Sequence, residues 1–346
     1  MISRRKLAAM ASGAALSLAV STSAFAQEVT LKLHQFLPAQ ANVPKLILDV
    51  WADNVQEASK GRIKIDRYPS MQLGGTPPEL IDQVTDGIAD VVWTVVGYTP
   101  GRFPSTEVLE LPFIISDTRA ASYAYWKLFE KHMRDADFKD MHVLGTWVHG
   151  QGVIHSNREI KSPADMRGVK LRGATRQINA MIEELGAEPI GMPVPAVTEA
   201  LSKGVIDGAT LPWEVTTGLR VPELVQHHTE FDGPHLYNLT FVLAMNKDRY
   251  EGLPDDLKAV IDENSGLEFS VFAGGTQADS DAEARQFAVD LGNEIVTIPN
   301  SEIEAWRDKA APVYDNWIAE VAEKGIDGQA LIDDARAFME EYASTR

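Results

Sequence analysis

One unit recurs in this chain and constrains its fold more than anything else. Residues 80–93 read as a helix, then Gly87-x-x-Asp90, then an apolar strand running to Trp93. Residues 201–213 read as a helix, then Gly204-x-x-Asp207, then a strand running to Trp213. The segments around these units repeat the same order. Val29 to Phe36 alternates with the period of a strand, and Asn42 with Pro44 opens a helix striped by Leu46, Val50 and Trp51 and stopped by Gly61. Arg62 to Tyr68 is a second strand, a helix opened by Pro77-Pro78 ends at Gly87, and Ile88 to Val92 is a third strand. Beyond residue 160, Val169 to Arg172 is a strand. The stripe Ile178, Met181, Ile182 and Leu185 is a helix closed by Gly186, and Pro189 to Met192 is a strand. A helix from Pro195 to Gly204 and a strand from Val205 to Leu211 complete the second set. Strands alternating with helices build α/β layers with mainly parallel sheets, so two lobes of similar architecture are expected.

The remainder connects and covers the lobes. Residues 234–246 (PHLYNLTFVLAMN) are apolar and strand-like, suited to a return crossing. Residues 254–291 read as mostly helix with a kink at Gly274-Gly275. Val296 to Ile298 is a short strand, Ser301-x-x-Glu304 has the form of a capping box, and two more helices follow.

Residues 1–26 stand apart. A basic start (Arg4, Arg5, Lys6), an apolar run from Leu7 to Val20 and the site Ala24-Phe25-Ala26 make a secretory signal peptide. No other segment approaches the roughly 18 consecutive apolar residues of a membrane span, so no direct membrane insertion is expected. The chain has no cysteine: no disulfide holds the fold, and no lipid can be attached at the cleavage site. Export without an anchor points to the periplasm of a Gram-negative cell. The formal charge of −18 falls to −21 once the three basic residues of the leader are gone. Such a surface repels nucleic acid and anionic lipid. Any acid bound by this chain must be held by a basic group inside a site.

Catalytic and metal-binding patterns are missing. There is no G-x-S-x-G elbow, no phosphate-cradling G-x-x-x-x-G-K, no G-x-G-x-x-G after a strand and no H-E-x-x-H. No cofactor and no metal site is expected; His227-His228 would splay apart on a helix, and Lys131 to Arg134 reads as a solvated helix face. A binding site remains. In open α/β sheets ligands sit beyond the carboxyl ends of strands, and Arg172 stands at such an end in G-V-K-L-R-G-A-T, before a helix capped by Thr175. Its fork can grip a carboxylate with two parallel hydrogen bonds; a surface ion pair is the competing reading. Trp93 and Trp213, each just past a strand end, can cover a ligand from both sides, or they can be core.

Several stretches carry a family resemblance: Tyr68-Pro-Ser-Met-Gln-Leu-Gly-Gly75, Ser162-Pro-Ala-Asp-Met-Arg-Gly-Val-Lys-Leu-Arg172, Leu185-Gly-Ala-Glu-Pro-Ile-Gly-Met-Pro193, Glu199-Ala-Leu-Ser-Lys-Gly-Val-Ile-Asp-Gly208, and Asn246-Lys through Leu253-Pro. In order and spacing the chain resembles the substrate-binding proteins of TRAP transporters, the DctP-like family. The resemblance implies an α/β, two-lobed periplasmic-binding-protein-like fold with mixed, mostly parallel sheets joined by crossing strands and a long helix. It implies lobe I from 27–149 and 238–279, and lobe II from 150–237 and 280–346. It also implies that Arg172, in Lys170-Leu171-Arg172, binds the carboxylate of a small organic acid, and that the partner is a TRAP permease driven by an ion gradient.

The chain departs from the family pattern at Leu211, where an asparagine is common, and at Val194-Pro195, where an aromatic is common. Leu211 beside Trp213 suits a monocarboxylate with an apolar or aromatic body. Gln151, Tyr237 and Phe36 are further candidate contacts, and Trp213-Glu214 keeps open a ligand held through a cation. A receptor for an ATP-driven transporter, a ligand sensor and a periplasmic enzyme are the competing functions.

Overall fold

The computed structural model describes residues 28–345, so the signal-peptide reading of 1–26 lies outside the described residues. Two mixed sheets form the framework. The first has the order β2-β1-β3-β10-β4, from Ile63–Tyr68, Val29–His34, Val91–Val95, Thr240–Asn246 and Met141–Val148. The second has the order β11-β9-β5-β8-β6-β7, from Glu294–Ile298, His227–Phe231, Val153–Ser156, Gly208–Leu211, Lys170–Gly173 and Glu188–Gly191. In each sheet three strands pair in parallel (β2-β1-β3 and β7-β6-β8), and the next two pair antiparallel.

The repeated unit is a true structural equivalence. Asp90 accepts a hydrogen bond from the Lys32 backbone N–H through Oδ2 (2.7 Å) and donates its own N–H to the Lys32 carbonyl (3.1 Å). Asp207 does the same to Lys170, at 2.9 and 2.8 Å. Gly87 and Gly204, three residues earlier, both have positive φ (73° and 66°), which a side chain would oppose. In each lobe the aspartate thereby locks the strand that follows it to its parallel neighbour. The registers match: His34 lies opposite Val92, and Arg172 opposite Ala209.

The chain crosses between the sheets around residues 149–152 and 232–239, and the two passes are laced together. Asn238 Nδ2 donates to the carbonyls of His149 (2.6 Å) and Gly150 (2.9 Å), and Gly152 N–H donates to the Tyr237 carbonyl (3.1 Å). A third connection is helical. Leu267–Asp279 packs against the helix Thr118–Leu128 and β4, whereas Asp281–Asp290 packs against the turn Trp213–Thr216 of the second lobe.

Local details differ from the sequence reading. Residues 254–291 form three helices, broken near Gly266 and at Ser280, and Gly274-Gly275 is not a kink. These glycines are buried mid-helix because a neighbouring helix needs the space. A Cβ at Gly274 would overlap the Ser122 hydroxyl, and one at Gly275 would stand 2.6 Å from Arg119 Nε. Asn42 does not cap its helix; its side chain donates to the Glu214 carbonyl (3.3 Å). Ser301 does not form the expected box, since the helix Glu304–Glu323 begins after a short 3-10 turn without a side-chain cap. The third strand begins at Val91, leaving Ile88 49% exposed. His227-His228 lie on β9, not a helix, and Met133 is buried while Lys131 and His132 pair with Asp334. The last helix, Gly328–Ser344, packs on Thr118–Leu128, with Tyr123 donating to Glu341 (2.6 Å). It therefore lies on the first lobe, whereas the sequence placed all of 280–346 on the second.

Candidate functional site

Arg172 ends up in the interior, not in a surface ion pair. Leu171 faces the core and Arg172 the opposite side of β6, yet the side chain is only 1% exposed. Nε donates to the Met192 carbonyl (2.9 Å) and Nη1 to the Thr210 carbonyl (3.0 Å). Both acceptors belong to the segments flanking β6 in the sheet, so the backbone itself aims the guanidinium. Nη2 is buried and makes no hydrogen bond of good geometry, although the Tyr98 hydroxyl lies close to the guanidinium. Among the described residues no carboxylate forms an ion pair with it. A buried cation with an unused donor costs several kcal/mol unless an anion meets it.

Arg172 lines a small, partly open cavity between the lobes. The first lobe supplies an aromatic wall. Phe36 stacks on Trp93 (centroids 4.7 Å apart, 22° between planes), and Trp93 stacks on Phe241 at 5.3 Å. Val194, Leu211 and Val215 of the second lobe and Leu239 supply aliphatic surface. Such walls fit a flat apolar body, and offset stacking on Phe36 and Trp93 adds to area burial. The indole N–H of Trp93 is also buried without a partner.

The remaining polar lining includes His149, Glu214 and Gln277. His149 donates Nδ1–H to the Gly150 carbonyl (2.5 Å), and its Nε2 accepts from Leu239 N–H (3.1 Å). Burial, with Arg172's charge as a lesser cause, pushes its pKa down to about 3, so the ring is neutral at pH 7. Glu214 is 6% exposed, and burial pushes its pKa up to about 7, against the Gln277 hydrogen bond that favours ionisation. Its Oε1 accepts from Gln277 Nε2 (2.7 Å), and Gln277 Oε1 accepts from Trp147 Nε1–H (2.9 Å).

Several hydrogen bonds hold the lobes shut around this space. Val194 N–H donates to the Tyr98 hydroxyl (2.9 Å), Thr175 Oγ to Glu110 (2.7 Å) and Gln277 to Glu214. Thr175 also caps the helix Arg176–Glu184 and packs against Gly97, where a Cβ would stand 2.9 Å from Thr175 Cβ and overlap its methyl.

Of the residues singled out in the sequence, Arg172, Trp93, Phe36 and Leu211 line this cavity together. Tyr237 is not part of the lining; its hydroxyl lies beside Thr210 and Arg172, and its ring fills the space a Gly152 side chain would take. Trp213 is not brought in. Its Nε1 donates to Glu230 (3.2 Å) and its ring packs on His155, Val153 and Ala284 in a small core of the second lobe. Gln151 is spent elsewhere, bonding both the carbonyl and the N–H of Phe231 (2.6 and 3.1 Å). Tyr98, His149, Phe241 and Gln277 were missed, because nothing local distinguishes them. Glu214 had entered only as a possible cation ligand. Among the described residues no group of three or more His, Asp or Glu gathers to hold a metal ion.

Two lobes of repeated α/β architecture, closed over an apolar cavity with one unpaired cation, define a solute-binding receptor. The chain belongs to the bacterial extracellular solute-binding protein family 7 (DctP), whose model matches residues 36–320. It is similar to a TRAP solute-binding protein of Rhodoferax ferrireducens solved with copurified benzoate: 47% identity, 91% of this chain and 99% of that one covered, TM-score 0.89. It is also similar to a marine metagenome TRAP solute-binding protein specific for aromatic acid ligands, from an unidentified microbe, solved with 3-hydroxybenzoate. There the identity is 42%, with the same coverage and TM-score. The C4-dicarboxylate-binding periplasmic protein DctP of Rhodobacter capsulatus is 26% identical over 94% of this chain and 97% of its own. Among the described residues no helix is long and apolar enough to cross a membrane.

Proposed function

We propose that this chain is the periplasmic receptor of a TRAP transporter for an aromatic monocarboxylate of the benzoate class. It is exported by its leader, turns nothing over, and delivers its ligand to the permease subunits. The buried guanidinium of Arg172, with Nη2 unpaired, at the lining of an aromatic-walled cavity carries this reading. The ligand carboxylate takes that donor, and the ring lies against Phe36 and Trp93. Contacts from both lobes give the ligand its preference for the closed form, and closing presents the surface that the permease reads. The benzoate and 3-hydroxybenzoate held by the two more similar relatives support this chemistry.

Isothermal titration of the mature protein against benzoate, phenylacetate, hexanoate and succinate tests it. A second carboxylate has no cationic partner among the lining residues, so succinate should bind at least about 100-fold more weakly than benzoate. Succinate binding as tightly as benzoate would reject the assignment.

Closure itself can be tested at Gly97. A Gly97→Val side chain would meet Thr175 as the lobes come together, and overpacking of this kind costs about 1–3 kcal/mol. Benzoate affinity should fall by about tenfold or more while the free protein keeps its melting temperature. An unchanged affinity would show that the lobes need not approach this closely.

A further inference from the structure

Glu214 is an unfavourable residue to place in a cavity that takes an acid. A buried carboxyl costs free energy by itself, and it adds repulsion if it ionises near a bound carboxylate. It nevertheless lines the cavity, on the turn that follows β8, and is held by both lobes. Gln277 Nε2 grips Oε1, Asn42 binds its carbonyl, and its N–H donates to Asp281 Oδ1 (2.8 Å). Arg172 and Glu214 both line the cavity but form no ion pair: the guanidinium donates to the Met192 and Thr210 carbonyls, and the carboxyl accepts from Gln277. The two charged groups thus mark separate parts of one cavity. Oε2 of Glu214 and the second N–H of Gln277 remain unused by the described residues, offering one acceptor and one donor side by side.

We propose that Glu214 and Gln277 read a ring hydroxyl, so that this receptor prefers hydroxybenzoates over benzoate. This rests on Arg172 holding the carboxylate, as set out above. The ligand hydroxyl donates to Glu214 and accepts from Gln277, which meets both of its hydrogen-bonding capacities. When Glu214 is protonated, the proton sits on Oε2, because Oε1 accepts from Gln277, and that contact reverses: Oε2–H then donates to the ligand hydroxyl oxygen. A hydroxyl ortho to the carboxylate stays at the arginine part of the cavity and gains nothing. A hydroxyl at the meta or para position reaches the pair.

The test is calorimetric titration of benzoate and of 2-, 3- and 4-hydroxybenzoate, with and without EDTA, into wild type, Glu214→Gln and Glu214→Leu. Either the 3- or the 4-hydroxy acid should bind wild type about tenfold or more tighter than benzoate, the gain a hydrogen bond to a charged group brings. Glu214→Leu should reduce that ratio to about twofold or less, and Glu214→Gln, which still accepts, should give an intermediate value. The ratio is internal to each protein, so a general loss of affinity does not obscure it. If Glu214→Leu fails to fold, the wild-type ratio and Glu214→Gln decide. No gain from a meta or para hydroxyl, a gain that survives Glu214→Leu, or affinity abolished by EDTA each overturns the proposal. Binding of benzoate without any hydroxyl gain would sink this inference alone, whereas failure of every acid to bind would sink the reading of the whole site.

Discussion

Replacing Arg172 by alanine should weaken binding of an aromatic acid by about 3–5 kcal/mol, two to four orders of magnitude in Kd. The size follows from burial. Arg172 is 1% exposed, and its buried Nη2 has no partner, so that donor is left for a ligand carboxylate. Without it the ligand leaves water for a cavity walled by Phe36, Trp93 and Leu211 with its charge uncompensated. Arg172→Lys should recover part of the loss at most. An ammonium keeps the charge but cannot hold the Met192 and Thr210 carbonyls and still present a donor to the ligand in the same plane. Because those two carbonyls lose their donors, the alanine variant should also melt lower, and calorimetric titration should be run below its transition. Affinity within a few-fold of wild type would remove Arg172 from the site.

Acid should destabilise the protein through a pair of histidines behind the cavity. Asn293 Nδ2–H donates to His228 Nε2 (3.0 Å), the two Nδ1 atoms of His228 and His155 are 2.7 Å apart, and His155 Nε2–H donates to the Leu211 carbonyl (3.2 Å). One proton arrangement satisfies this chain, with both rings neutral and His228 donating to His155. A further proton would set two N–H groups against each other. Burial, then the charge of His227, pushes His228 down to about 4, and burial, then His228, holds His155 well below the usual value. A base with a depressed folded pKa gives stability that is complete above about pH 6.5 and lost as pH falls toward the folded value. His228 alone should therefore cost about 2 kcal/mol between about pH 7 and pH 5, and about 3 kcal/mol by about pH 4. Glu110 and Glu214 act in the opposite sense. Burial pushes both up to about 7, so they take up protons in the folded state and add stability as pH falls toward their unfolded value. The comparison is thus wild type against His228→Asn in urea melts at about pH 7 and about pH 5. The variant should lose less stability across that interval by about 2 kcal/mol, and equal losses would contradict the neutral pair.

The repeated Gly-x-x-Asp unit was legible because it is local. The glycine needs a positive φ, and the aspartate must reach a neighbouring strand, so both leave a mark in a few residues. The same unit explains why Trp213 was misplaced. Trp93 lies three residues after Asp90 and falls within β3; Trp213 lies six after Asp207, past the end of β8, and starts a helical turn. The residue in the second lobe that matches Trp93 is Thr210, whose carbonyl holds Arg172. Counting from the aspartates would have separated the two tryptophans. Arg172 was legible from its strand end, and Leu211 and Phe36 from their departure from, or place in, the family pattern. Gln277 and His149 were not. Each reaches the cavity only because a helix or a crossing strand brings it there from a distant part of the chain, and no spacing near either residue records that. Gly274-Gly275 misled for a related reason: the space they leave is filled by Ser122 and Arg119, some 150 residues earlier in the chain. The amphipathic pattern of the last helix says that it packs, not that its partner is the helix Thr118–Leu128.

In the ligand-bound receptor, a carboxylate is expected at the free end of Arg172 with its ring between the lobes. A crystal structure of the mature protein grown with benzoate tests this most directly. Closed lobes, a carboxylate oxygen within about 3 Å of Arg172 Nη2 and the ring against Phe36 and Trp93 are expected. Density for the acid elsewhere, or a carboxylate paired with another cation while Nη2 stays unpaired, would contradict it.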